Sequence, residues 1–294
     1  SGFLGYSANL GNVMNAGIEV QLDGDIIKTG DFTWNMNLNF TWYKNKITSL
    51  PEARKNSVVD GVPGYSSSNY YYGEGKPLYT FYMPEYLGVN PENGKPQYKH
   101  KNTDEDGNET GEWSVTENYG QATNCLVGTA LAPVFGGITT TFEYKGFDLS
   151  AQFNYQIGGK VYDGNYARLM GSPTSTSTGM NLHADVFKAW TLENTGSNIP
   201  RFVYNDLNSS SMSSRFITDA SYLSLENINF GYTFPTQWIK KLYLSKLRVY
   251  LACENIWVWS KRQGLDPRQS YTGSNNNTYN APVRTISGGL TLTF

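Results

Sequence analysis

Apolar and polar residues alternate along this chain in long runs, the two-residue period of strands with one apolar and one polar face. The clearest run has Phe32, Trp34, Met36, Leu38, Phe40 and Trp42 on one face and Thr33, Asn35, Asn37, Asn39 and Thr41 on the other. Rings flank the aliphatic centre at both ends, as when aromatics sit at two membrane–water interfaces. Before it, Ala16 to Lys28 alternates through Ile18, Val20, Leu22 and Ile26. Gly137 to Lys145 and Phe147 to Ile157 form a hairpin about Gly146. In the stretch from Ala220 to Phe234, Leu223 and Leu225 are out of phase with Ile228, Phe230, Tyr232 and Phe234. A β-bulge near Glu226 and Asn227 reconciles the two. Lys246 to Trp259 carries Leu247, Val249, Leu251, Cys253, Trp257 and Trp259 on one face. Val283 to Phe294 closes the series, with Ile286, Leu290, Leu292 and Phe294 opposite Thr285, Ser287, Thr291 and Thr293. An amphipathic last strand ending on an aromatic is typical of outer-membrane β-barrels.

The connections alternate in length. Turns after Lys28, at Gly146 and from Phe234 to Ser245 are short or moderate; residues 49–134, 159–215 and 260–282 are long. Barrels of this kind have short periplasmic turns and long extracellular loops. With the last strand running down, every long loop falls outside. About seven antiparallel strands are too few, and odd in number, to close a bacterial barrel, and open edges are not viable in lipid. The expectation is a transmembrane β-barrel whose remaining strands lie upstream.

Composition narrows this further. No stretch approaches the ~20 apolar residues of a membrane helix, so a helical membrane protein is excluded. Aromatic residues make up 15% of the chain, which suits interfacial girdles or a carbohydrate-contacting surface. A net charge of −2 gives no electrostatic case for nucleic acid. Cys125 and Cys253 read as free thiols, and two histidines do not make a haem or histidine-rich metal site. Ser1 to Gly5 lacks the charge and apolar run of a signal peptide. A barrel must be exported, so the expectation is a C-terminal piece of a longer protein.

Several segments together resemble the SusC-like TonB-dependent transporters of the Bacteroidetes outer membrane. Gly11 to Glu19 (GNVMNAGIE) is similar to that family's N-x-G-(I/V)-E strand opening. Pro77 to Tyr98 (PLYTFYMPEYLGVNPENGKPQY) is similar to its Y-G-(V/I)-(N/D)-P-x-x-G-x-P loop. Pro133 to Ile157 (PVFGGITTTFEYKGFDLSAQFNYQI) is similar to its F-x-Y-K-G-F-D-L-S hairpin. Asp219 to Pro235 (DASYLSLENINFGYTFP) nearly repeats its D-A-S-Y-L pattern, with Ser224 and Glu226 where basic residues are usual. Asn255, Asp266-Pro267, Arg284-Thr285, Gly289-Leu290 and Phe294 follow in the family's order, while Ser172 to Ser214 matches nothing in the pattern.

The resemblance implies a barrel of about 22 strands with a plugged lumen, of which residues 1–294 are the C-terminal segment, without the plug domain and N-terminal strands. It implies TonB-dependent import of oligosaccharides under a SusD-like surface lipoprotein lid, with oligopeptides as the alternative cargo. It also implies coupling to the TonB complex through the N-terminal part, and no bond made or broken. A stand-alone siderophore-type receptor and a soluble β-sandwich lectin or adhesin are the competing readings.

Individual residues carry weaker signals. Tyr70, Tyr71 and Tyr72, with Trp113 and Trp190, fall in outer loops as candidates to contact ligand or lid, or simply to pack the loops. Phe32, Trp34, Phe40, Trp42, Trp257 and Trp259 are the girdle candidates against membrane lipid, and Phe294 is the candidate recognition signal for the barrel assembly machinery. Asn102, Asp104, Asp106 and Gly107 open like a calcium loop. Its twelfth position is Trp113 rather than a bidentate Glu, and turn chemistry explains the stretch equally well. No other cofactor is expected. His100 and His183 have no Ser or Cys at a recognised spacing, so no catalytic arrangement is expected. In the turn from Pro235 to Lys241, Trp238 and Ile239 are candidates to anchor at the inner interface beside Lys240 and Lys241, with a plain solvated turn as the alternative.

Overall fold

A computed structural model of the chain describes residues 11–106, 109–174, 179–275 and 282–294. Seven long strands form one antiparallel sheet in simple sequential order. They are β1 (Asn12–Lys28), β2 (Phe32–Ser49), β3 (Val134–Tyr144), β4 (Phe147–Ile157), β5 (Tyr222–Thr233), β6 (Lys246–Ser260) and β7 (Thr285–Thr293). The alternation seen in the sequence is kept across every seam. Leu22 faces Leu38, Leu38 faces Ile138, Ile138 faces Phe153, and Phe153 faces Leu225. Leu225 then faces Trp257, and further along β6 Val249 faces Leu290. One face is therefore apolar from edge to edge.

The expected bulge is present. Gln152 pairs with Asn227 and Phe153 with Leu225, so Glu226 is the extra residue and switches the phase of β5. Lys145 and Gly146 both have positive φ, 48° and 89°, which builds a two-residue type I′ hairpin between Tyr144 and Phe147.

The apolar face is uncovered. Ile18, Leu22, Leu251, Ile286 and Leu290 are all exposed, Ile286 at 68%. A β-sandwich would bury such a face against a second sheet about 10 Å away, and among the described residues none covers it. The sheet is instead a portion of a barrel wall with its apolar side outward. Aromatics lie near both ends of that side: Phe32, Trp34, Phe142, Phe147 and Tyr232 at the short-turn end, and Trp42, Trp257 and Trp259 at the long-loop end. Trp34 stacks on Phe142 at 5.7 Å and donates Nε1–H to Thr140 Oγ1 at 2.9 Å. From Trp34 to Trp42 the strand rises about 27 Å at ~3.4 Å per residue, or about 20 Å once tilted by ~40°. That is close to the height of an outer-membrane apolar band. Among the described residues no helix is long and apolar enough to cross a membrane.

The buried core sits in the long connections, not behind the sheet. Residues after β2 fold into a five-stranded sheet, from Ser57–Val59 to Asn124–Thr129, and a three-stranded one of Tyr86–Val89, Pro96–Thr103 and Glu109–Thr116. The sequence pattern predicts only a long connection over residues 49–134, and the structure fills it with short strands. Tyr70, Phe81, Met83 and Ala130 from this first loop share a core with Tyr162, Ala167, Met170 and Phe216 from the loop between β4 and β5. Lys160–Asp163 pairs with Ile217–Asp219 and, in parallel, with Ser274–Asn275 of the loop after β6. Three loops thus form one canopy.

Candidate functional site under the loop canopy

Where the canopy meets the polar face of the sheet lies a half-open cavity of about 230 Å³. Tyr43, Phe135, Gln156 and Tyr222 line it from β2 to β5, and Lys160, Arg268 and Tyr271 line it from the loops. Strand register explains the sheet-borne half. Phe135 and Tyr222 both lie opposite Gln156, and the Tyr43 and Phe135 rings meet edge to face at 5.9 Å. Since loops cover this side of the sheet, the polar face is the inner one.

Close backbone contacts hold the roof. Gly273 has φ +75°, and a Cβ there would stand 2.6 Å from both the Ala130 Cβ and the Lys160 carbonyl. Only glycine lets the third loop press against the first two. Tyr162 N donates to Gly273 O at 2.7 Å, and the Tyr70 hydroxyl donates to Thr272 O at 2.9 Å.

The charges of the site are largely paired. Arg268 donates Nε to Asp266 Oδ1 at 2.9 Å, Nη2 to Asp266 Oδ2 at 2.7 Å and Nη1 to Glu226 Oε1 at 2.6 Å. The hydrogen bonds from Asp266 and Glu226 hold its guanidinium protonation even more firmly than usual, against the cost of burial. Ser224, fully buried, donates its hydroxyl to the same Glu226 oxygen. The family pattern has basic residues at these two positions; here the bulge supplies the acid and the third loop the base. Lys160 makes no ion pair among the described residues.

The structure disperses the other candidates. Tyr71 is fully buried and its hydroxyl donates to Ser57 O and Val62 O, while Tyr70 is buried in the shared core. Of the two alternatives, ligand contact or loop packing, both take the packing one, because their rings and hydroxyls are taken up inside the canopy. Tyr72 keeps partial exposure and stacks on Tyr65 at 5.2 Å. Trp113 is exposed on the three-stranded sheet with Lys99 Nζ 4.3 Å above its ring. Trp190 is half-buried and donates Nε1–H to Pro91 O at 3.1 Å, so it ties the second loop to the first. On the outer face, Trp42, Trp257, Trp259 and Phe294 are exposed, while Phe32, Trp34 and Phe40 are partly covered by neighbouring side chains. Ile239 is buried and does not reach an interface; Trp238 does project.

Asn102, Asp104 and Asp106 lie at a hairpin tip. Asn102 Oδ1 accepts from Ser114, and Asp104 Oδ1 accepts from Asp106 N at 3.0 Å, which is turn chemistry. Gly107 lies outside the described residues. Among the described residues no three His, Cys, Asp or Glu side chains are grouped to hold a metal ion. Both cysteines are free thiols. His100 Nδ1 donates to Gln121 O at 2.6 Å, and His183 accepts from Asp185 N at the start of a short helix. Burial pushes the hydroxyls of Tyr86, Tyr162 and Tyr166 up to about 12, so they stay neutral near pH 7.

No protein-family model matches the chain. Its whole length is similar to "TonB-dependent receptor P3" of Formosa agariphila, at 28% identity over 30% of that protein. It is 29% identical to "TonB-dependent receptor SusC" of Bacteroides thetaiotaomicron, over 97% of the chain and 27% of that protein. Among solved structures it superposes on the RagAB peptide transporter with TM-score 0.76 and 23% identity, over 97% of the chain and 30% of the other. The RagAB peptide importer in its "closed-closed" state gives TM-score 0.77. The chain spans under a third of the length of the relatives it matches. The structural likeness upholds the barrel-wall fold, and the named relatives uphold the resemblance read from the sequence.

Proposed function

Starting from the chain as a segment of a SusC-like TonB-dependent transporter, we propose that it forms part of the wall and outer canopy of an importer in the bacterial outer membrane. The whole protein works by TonB-driven transport of oligosaccharides, with a SusD-like lipoprotein as lid, and makes or breaks no bond. The observation that carries the cargo class is the cavity under the canopy. Four aromatic residues, Tyr43, Phe135, Tyr222 and Tyr271, line it together with Gln156, whose amide Nε2 donates to Ala220 O at 3.0 Å, and the carboxylates of Glu226 and Asp266 are already engaged by Arg268. Rings stack on the apolar faces of sugars, amides and hydroxyls bond their edges, and paired charges leave little to grip an ionic ligand.

Oligopeptide import is the second reading, favoured by two observations. Lys160 lines the cavity without an ion-pair partner among the described residues, and the structural neighbours are described as peptide transporters. Calorimetry on the full-length protein with its lid separates the two. A neutral oligosaccharide series should bind, and Tyr222→Ala with Tyr271→Ala should weaken it about tenfold, the loss of one or two stacking contacts. Binding of peptides but no glycan, abolished by Lys160→Gln, would overturn the oligosaccharide reading and leave the importer.

A further inference from the structure

The turn between β5 and β6 lies at the short-turn end of the wall, opposite the canopy. An aromatic ladder runs down the outer face into it. Phe147 meets Tyr232 at 4.4 Å, Tyr232 meets Phe234 at 4.9 Å, and Phe234 meets Trp238 at 6.5 Å. The chain then turns through Thr236–Ile239 and Lys240–Leu242 with Ile239 buried, while the residues around it from Trp238 to Tyr243 are exposed. Trp238 is 65% exposed, Leu242 63% and Tyr243 90%. Tyr243 has φ +58°, a left-handed conformation that costs a non-glycine residue energy. Lys240 and Lys241 stand exposed between these apolar groups and make no ion pair among the described residues, whereas Lys28 pairs with Asp25 and Lys145 with Asp31 at the neighbouring turns.

Exposed rings and a leucine interleaved with unpaired ammonium groups are poorly suited to plain solvent. They suit a surface that offers acyl chains and phosphate together: the rings sit at headgroup depth and the lysines meet the phosphates. The patch is continuous with the outward apolar face through the aromatic ladder, so whatever wets that face reaches the turn. Resting on the outer-membrane reading above, we infer that residues Trp238 to Tyr243 form a binding site for an anionic phospholipid of the inner, periplasm-facing leaflet. The rings and Leu242 take the upper acyl region, and Lys240 and Lys241 clamp the headgroup phosphate. Two adjacent cations give a preference for anionic over zwitterionic lipid that the neutralised turns cannot give.

The test is native mass spectrometry of the full-length protein in detergent, titrated separately with phosphatidylglycerol and phosphatidylcholine. The wild type should retain phosphatidylglycerol about thirtyfold more tightly, the factor expected of two lysines at an anionic surface. Lys240→Gln with Lys241→Gln should abolish that preference, while Trp238→Ala weakens both lipids and Lys145→Gln changes neither. Equal retention of the two lipids by the wild type, or an unaltered preference in the double lysine variant, overturns the site. Recovery of the protein outside the outer-membrane fraction is a separate failure, that of the outer-membrane reading itself.

Discussion

Glu226 and Arg268 join the wall to the canopy: the extra residue of the β5 bulge accepts from the guanidinium of the third loop at 2.6 Å. Both side chains are mostly buried, so the contact is a charge-assisted hydrogen bond sheltered from salt rather than a surface ion pair. Glu226→Gln should loosen the loop while Asp266 still holds Arg268. The coupling in a Glu226→Gln, Arg268→Gln double-mutant cycle should be about 1–3 kcal/mol, read from the thermal unfolding of the full-length protein. Additive single effects would mean that the bulge only bends the strand.

Gly231 should not accept a side chain. Its position on β5 lies between Asp148 on β4 and Tyr250 on β6. Arg248 crosses it to bond Asp148 through both Nε and Nη2, and Asn229 through Nη2 at 2.7 Å. A Cβ on Gly231 would stand 2.3 Å from Arg248 Nη2. Gly231→Ala should therefore cost about 1–3 kcal/mol, the usual range for overpacking, seen as a lower temperature for loss of the heat-modifiable barrel band. Adding Arg248→Ala should recover part of the loss, because the colliding group is gone. If the double variant is worse than the sum, the clash is not the cause.

The wall was readable in the sequence and most of the canopy was not, for a physical reason. Strand periodicity reports burial on one face, and every wall strand keeps that contrast; even the phase switch at Glu226 shows as two sets of leucines and aromatics out of step. Canopy strands such as Tyr70–Gly73 and Thr80–Pro84 are short and buried on both sides, so they carry no alternation. The same cause hid the site. Tyr43, Phe135, Gln156 and Tyr222 are ordinary inner-face residues until loops far apart in sequence close over them. The tyrosine triplet drew attention because it is conspicuous in sequence, yet Tyr70 and Tyr71 are consumed by packing. Glu226 and Ser224, where the chain departs from the family pattern, carried the better signal.

Acid should open the first loop where it meets Trp190. Glu117 accepts from Asn90 at 2.7 Å and Asn93 at 2.8 Å and pairs with Lys95, and these hydrogen bonds hold its carboxyl below the ordinary value. A depressed folded-state pKa contributes stability that is complete above the unfolded value, about 4.3, and is lost as pH falls through the lower folded value. The turn from Asn90 to Gly94 should hold at neutral pH and loosen below about pH 4. Trp190, bonded to Pro91 O in that turn, reports it by fluorescence. Glu117→Gln should move the neutral-pH signal toward the acid one; a Trp190 signal flat from pH 7 to pH 3 would sink the assignment.

Leu251 and Ala252 are neighbours on β6 that should respond oppositely to charge. Leu251 lies between Phe230 and Gly288 on the outward face and is 54% exposed; Ala252 lies between Asn229 and Ser287 on the inner face. In a water-soluble sheet an exposed leucine would take arginine at little cost, and the half-buried alanine would suffer more. In a barrel wall the order reverses, because an outward arginine near the bilayer midplane costs about 2–4 kcal/mol while the inner face is wet. Leu251→Arg should cut the folded, heat-modifiable fraction of the full-length protein in outer membranes well below that of Ala252→Arg. Equal yields, or a larger loss for Ala252→Arg, would remove lipid from the outward face and return the sheet to water.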